Sequence, residues 1–145
     1  MKKRVISVFF NASVVLAGLK SPKGGSGKIL SWAKQKKIKG VISEIIMDEI
    51  LRNALKIGFD KLVLEKKIKE ILQIEAAPKQ EIVSKYNSIV IYFGDAHVLA
   101  SSEQAKTEYL VSLDQKHILI LKDKIKVFKI VTPGELIQVA AVLQF

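Results

Sequence analysis

The chain has 145 residues, 49% of them hydrophobic, with a mean hydropathy of +0.23 and no cysteine. That describes one globular domain over residues 1–145 and excludes a disordered tail, disulfide staples, thiolate catalysis and Cys-ligated metal. Lys and Arg outnumber Asp and Glu by 24 to 14, a net charge of +10, which favours a polyanionic partner such as nucleic acid and equally matches the Lys-rich surfaces of heat-adapted proteins.

Met1-Lys2-Lys3-Arg4 has the basic character of a signal-peptide start. The apolar run behind it is interrupted by Ser7 and ended by Asn11, far short of the roughly 18 residues that a membrane span requires. No membrane segment is expected, and Arg4–Phe10 reads as a buried β-branched and aromatic strand. Ser21–Ser26 is a loop, with Ser26 as cap of a helix from Gly27 to Lys36. Lys39–Ile42 is a second strand. Ser43 caps a helix to Lys56 whose apolar stripe is Ile46, Met47, Ile50, Leu51 and Ala54, and Gly58 ends it.

A further helix covers Asp60–Leu72, with Leu62, Leu64, Ile68 and Leu72 as its inner face. Ile74–Ala77 reads as a strand before Pro78, and Gln80–Lys85 carries no clear signal. Gly94-Asp95 opens a helix through Gln104. Glu108–Leu113 is a strand, followed by Asp114 and a short helical turn through Leu121. Lys124–Ile130 is the last strand, and Thr132-Pro133 starts a C-terminal helix. Strands alternating with helices over short loops imply a three-layer α/β/α fold around a central, mostly parallel sheet.

Ligands of such sheets bind beyond the carboxyl ends of the strands. Asn11 and Ser13 follow the first strand, and Glu44, Asp48 and Glu49 follow the second on its helix. Asp95 opens a later helix, and Asp114 lies just past Tyr109–Leu113. Four chain segments thus bring mostly acidic groups to one edge, where a hard cation such as Mg2+ or Mn2+ takes oxygen ligands. Carboxylates in those positions also serve as helix caps, so spacing alone leaves both readings open. Glu49 sits off the apolar stripe beside Ile45, an odd place for a solvated Glu.

A resemblance adds to this. Phe10-Asn11-Ala12-Ser13 followed by an apolar helix resembles the opening of PIN domains, and Val41-Ile42-Ser43 with Glu49-Ile50 is similar to their second motif. Gly94-Asp95-Ala96-His97 resembles the third, Tyr109-Leu110-Val111-Ser112-Leu113-Asp114 the fourth, and Ile130–Leu136 the usual ending. The motifs occur in order across nearly the whole chain. The resemblance implies a metal-dependent ribonuclease, often the toxin of a VapC-type toxin–antitoxin pair and frequently a homodimer. It implies Asn11, Glu49, Asp95 and Asp114 as metal ligands, with Glu49, Asp95 and Asp114 catalytic and Ser13 and Ser112 as supporting hydroxyls. The partners expected are RNA and an antitoxin protein, and the expected location is the cytoplasm.

The departure is Asn11, where the family has Asp. An amide oxygen ligates without bringing charge, and its NH2 only donates. A natural variant, a degenerate member and an engineered Asp-to-Asn change are all open, and so is a catalytically silent PIN domain that binds RNA or protein, or a plain α/β scaffold with capping carboxylates. Gly24-Gly25-Ser26-Gly27-Lys28 has half of a phosphate-binding loop, but Pro22 stands where the motif needs Gly and Ile29 where it needs Ser or Thr. That loop reads instead as one approaching substrate, with Lys20, Lys23 and Lys28 meeting phosphates. One of the runs Lys34–Lys39 and Lys66–Lys69 is a second candidate for the RNA path. His97 and His117 read first as structural, as do Trp32, Phe59 and Tyr92.

Overall fold

In a computed structural model, residues 4–143 are described; residues 1–3, including the basic start, and residues 144–145 lie outside them. Five parallel strands form one sheet in the order β3-β2-β1-β4-β5: β1 (Ser7–Phe10), β2 (Lys39–Ser43), β3 (Gln73–Glu75), β4 (Tyr109–Val111) and β5 (Lys129–Val131). The central strands carry Val8, Phe9, Phe10, Leu110 and Val111 with no exposure at all. Such uniform burial belongs to parallel strands covered on both faces.

The helices are α1 (Ala12–Lys20), α2 (Gly25–Lys34), α3 (Glu44–Arg52), α4 (Lys61–Ile71), α5 (Gln80–Tyr86), α6 (Phe93–Gln104) and α7 (Pro133–Leu143). Contacts join α1, α2, α3, α4 and α7 into one group, whereas α5 packs on α6 and α6 on β4. Right-handed crossovers explain the division. The chain steps one way from β1 through β2 to β3, then crosses back to β4 on the other side of β1, so α5 and α6 cover the opposite face. No helix among the described residues is long and apolar enough to cross a membrane.

Several boundaries differ from the sequence reading. β1 starts at Ser7, opposite Lys39; of the residues before it, Ile6 contributes its carbonyl, which accepts from Lys39 N–H at 2.9 Å. α2 starts at Gly25 with Gly24 as cap, so Ser26 is a buried helical residue and not the cap; it ends at Lys34, and Lys36 takes a left-handed backbone at φ 62°. α3 ends at Arg52, and a separate 3-10 turn, Leu55–Ile57, runs to Gly58 at φ 79°. Leu62 is 76% exposed, because it stands about 200° around α4 from Leu64; the inner face is Leu64, Ile68 and Ile71. β3 is shifted to Gln73–Glu75, and the segment without clear signal forms α5.

β4 stops at Val111 because the next amide but one, Leu113 N–H, donates to Ser13 Oγ at 3.3 Å and leaves the ladder. β5 begins only at Lys129, where its partner β4 begins. The glycine-rich loop is a packing device: a Cβ on Gly27 would stand 2.2 Å from the Pro22 carbonyl oxygen.

Thr132 and Glu135 form a reciprocal cap at the start of α7: Thr132 N–H donates to Glu135 Oε1 (3.0 Å) and Glu135 N–H to Thr132 Oγ1 (3.1 Å). The Thr132 amide, with further help from Lys122, holds the Glu135 carboxyl below the usual range despite some desolvation. A lowered carboxyl pKa gives stability that is present above the unfolded-state value and is lost as pH falls through the folded one. Thr132→Ala is therefore expected to cost about 1 kcal/mol in urea unfolding at neutral pH. Glu135→Gln should destabilise at neutral pH and lose that deficit as pH falls through the folded-state value and the wild-type carboxyl becomes protonated too.

Candidate functional site

Strand order reverses between β1 and β4, so their carboxyl ends flank the crevice where an open α/β sheet binds ligands. A cleft of about 290 Å³ lies there, and Asn11, Ser13, Glu49, Asp95 and Asp114 all line it. Four elements converge. Asn11 follows β1 directly and caps α1. Ser43 Oγ accepts from Ile46 N–H at 3.3 Å and starts α3, whose residues Ile45, Glu49 and Arg52 recur at helical spacing along the cleft wall. Asp95 lies in the first turn of α6, where the helix dipole favours an anion. Asp114 follows β4.

Ser112, fully buried, ties the two strand ends together. Its Oγ accepts from Asn11 Nδ2 at 2.8 Å and from the Asp114 amide at 3.0 Å. Asn11 Oδ1 accepts from Ala12 N–H at 2.9 Å, and the Asn11 amide donates to the Val111 carbonyl at 3.0 Å. The amide group is thus oriented by its donors toward Ser112. Oδ1 keeps one lone pair beyond its bond to Ala12.

Asp114 and His117 are locked together. Asp114 Oδ1 accepts from the His117 amide at 3.0 Å, and Asp114 Oδ2 lies 3.2 Å from His117 Nδ1. Asp95, Asp114 and His117 each offer a ligating atom within 4.8 Å of the others. Glu49 lines the same cleft without entering that tight group. Desolvation pushes the Asp95 carboxyl up, the nearby Asp114 adds to this, and His117 and the Tyr92 backbone oppose it. Glu49 is exposed as a residue, yet desolvation of its carboxyl against the cleft wall raises it as well; Arg52 opposes that shift and Asp95 reinforces it.

Asp95 Oδ2 is buried and has no hydrogen-bond partner among the described residues. A buried carboxylate oxygen left unpaired is costly, and a cation is the partner that an all-oxygen neighbourhood with one imidazole fits. The residues present therefore suit a hard divalent ion.

Lys20, Lys23 and Lys28 are exposed and none lines the cleft. Their loop is nevertheless near the right end of the sheet, since a Cβ on Gly25 would lie 3.7 Å from Pro133, just past β5. Lys28 Nζ sits over the Trp32 ring at 5.6 Å. Lys34–Lys39 leads into the amino end of β2, and Lys66–Lys69 lies in the half of α4 that runs down to the amino end of β3, so both basic runs sit away from the cleft. His97 packs on Phe93 and does not line the cleft. Two site residues went unassigned from sequence. His117 carried a signal, its i,i+3 spacing from Asp114. Arg52 had one too, three residues beyond Glu49 on α3.

The PIN domain family model matches residues 7–116. Solved structures share the fold. VapBC2 from Rickettsia felis, bound to a DNA fragment from its promoter, aligns with a TM-score of 0.62 at 12% identity over 88% of this chain and 98% of that one. PAE2754 from Pyrobaculum aerophilum aligns at 0.61 and 19% identity over 97% and 99%. VapC20 of Mycobacterium tuberculosis, a sarcin–ricin loop cleaving toxin, aligns at 0.55 and 13% over 75% and 91%. No curated protein sequence matches the chain.

Ser112→Ala leaves the Asn11 amide and the Asp114 N–H without the acceptor that a fully buried hydroxyl provides. It is expected to cost about 1–3 kcal/mol in chemical unfolding, against less than about 0.5 kcal/mol for an exposed control such as Ser84→Ala.

Proposed function

This chain belongs to the PIN domain family, and on that footing we propose that it is a metal-dependent endoribonuclease, the toxin of a toxin–antitoxin pair. The observation that carries this reading is the unpartnered Asp95 Oδ2 beside Asp114 and His117, in the cleft at the reversal of strand order. Asp95, Asp114 and Glu49 would hold Mg2+ or Mn2+ with anionic oxygens, and Asn11 Oδ1 would add a neutral one. Such an ion, when bound, lowers the pKa of water and offsets charge on a phosphodiester. Desolvation raises the Asp95 and Glu49 carboxyls, and a bound cation would favour their ionised forms.

The remaining roles belong to the chain itself. Ser112 and Ser13 keep the β1 and β4 ends in register beneath the ligands. Asp114 fixes the His117 ring through its contact with Nδ1 and its bond from the His117 amide. Arg52 at the cleft wall, and Lys20 at the end of α1, Lys23 in the turn after it and Lys28 in α2, meet phosphates. RNA as substrate accords with the sarcin–ricin loop cleaved by VapC20, and an antitoxin partner with the VapBC likeness; a homodimer rests on the family resemblance alone. A single domain over residues 1–145, free of cysteine, suits work on RNA in the cytoplasm.

Asn11 favours a second reading, a silent PIN domain that binds RNA or a protein partner. It is 8% exposed and neutral, with both amide hydrogen-bonding atoms already engaged. Mn2+ separates the two. The nuclease reading expects stabilisation of about 3 kcal/mol at about 100 times Kd, absent in Asp95→Ala, and metal-dependent RNA cleavage. No thermal shift in the wild type would leave the silent domain.

Asn11→Asp should tighten Mn2+ binding about tenfold or more, since one added ligating charge contributes at least about 1.4 kcal/mol. It should raise Mn2+-dependent cleavage in the same direction. Unchanged affinity and activity would show that position 11 is not a ligand.

A further inference from the structure

Ile91, Tyr92 and Phe93 form a run of three large apolar side chains, exposed by 62%, 61% and 60%, immediately before Asp95. Tyr92, read from sequence as structural, is outside the core, on the surface beside the cleft-lining Gly94 and Asp95. Two of these rings are held in place by other rings. Tyr92 packs edge-to-face with His117, centroids 4.7 Å apart at 78°, and Phe93 with His97 at 5.1 Å and 74°. Through His117 and Asp114 the aromatic ledge is continuous with the acidic centre.

Gly94 completes the ledge. It lines the cleft, and a Cβ there would meet nothing within 4 Å. Its backbone has no positive φ, and α6 would gain from a side chain in its first turn. Neither conformation nor packing requires glycine, so what it keeps is empty space between the rings and Asp95.

A strand of RNA entering this cleft meets carboxylates that repel its phosphates. Arg52 on the cleft wall and a bound cation offset part of that repulsion, and groups that do not depend on phosphate charge can add to the attraction. An anchored aromatic face does this, because every base has a π-face and stacking is indifferent to the sign of the local field. We propose that Tyr92 and Phe93 form a stacking platform for an unpaired nucleobase of single-stranded RNA, next to the phosphodiester held at the acidic centre. This rests on the nuclease reading.

The test measures binding of a short single-stranded oligoribonucleotide of mixed sequence to the full chain by fluorescence anisotropy, with EDTA present to prevent cleavage. An abasic oligonucleotide of the same length serves as reference. Tyr92→Ala and Phe93→Ala are expected to weaken binding of the base-containing strand about tenfold or more, and Tyr92→Leu, which keeps an apolar side chain, should weaken it nearly as much. Tyr92→Phe should restore it. The abasic strand should bind weakly to all forms alike, and circular dichroism should show every variant folded. If the wild type binds RNA and the alanine variants bind it equally well, the platform is overturned while the nuclease reading stands, and the rings are left to a protein partner. If the wild type neither binds nor, with Mn2+, cleaves RNA, both fall together.

Discussion

Parallel pairing of β1 with β4 is the constraint from which the site follows. Phe10 opposes Val111, so the residues directly beyond each strand emerge side by side at the reversal of strand order. One of those residues is the amide Asn11 and another the hydroxyl Ser112, and the hydrogen bond between them closes the sheet end. Asp114 then hangs from the same hydroxyl by its backbone amide. A single buried oxygen thus sets the positions of two cleft-lining residues far apart in sequence, while α3 and α6 deliver Glu49 and Asp95 from the two faces of the sheet.

The electrostatics of the cleft run against its own stability. Asp95 and Glu49 are both driven toward protonation by desolvation and by neighbouring carboxyls, with Arg52 and His117 as partial counterweights. Elsewhere the chain pairs its buried or half-buried acids, as Glu103 does with Lys85 and Tyr86. A strained arrangement kept in one cleft, in a protein that otherwise satisfies its acids, is the pattern of a binding site.

The layout of strands and helices was legible because apolar runs of β-branched residues alternate with 3.6-period stripes, and because Ser43, Asp60 and Thr132 are strong caps. The ends of strands were less so. Ladder length depends on where the neighbour begins, which the local sequence of β5 does not encode. Leu62 was misplaced by counting it with Leu64, a spacing that no helical face accommodates. The four proposed ligands do line one cleft, since strand-end positions are dictated by topology. His117 and the exposed ledge at Tyr92 were harder to see, because side-chain contacts across α6 and the Asp114 turn join segments that lie far apart in sequence.

The bond between Asn11 and Ser112 spans 101 residues of chain. Closing so long a loop is entropically slow, and it precedes any gain from the contacts it brings. Synthesis on the ribosome adds an order of its own: Asn11, Glu49 and Asp95 are made before Asp114 and His117. A chain made only as far as Asp95 therefore lacks a complete acidic centre, which comes into being only with Asp114 and His117.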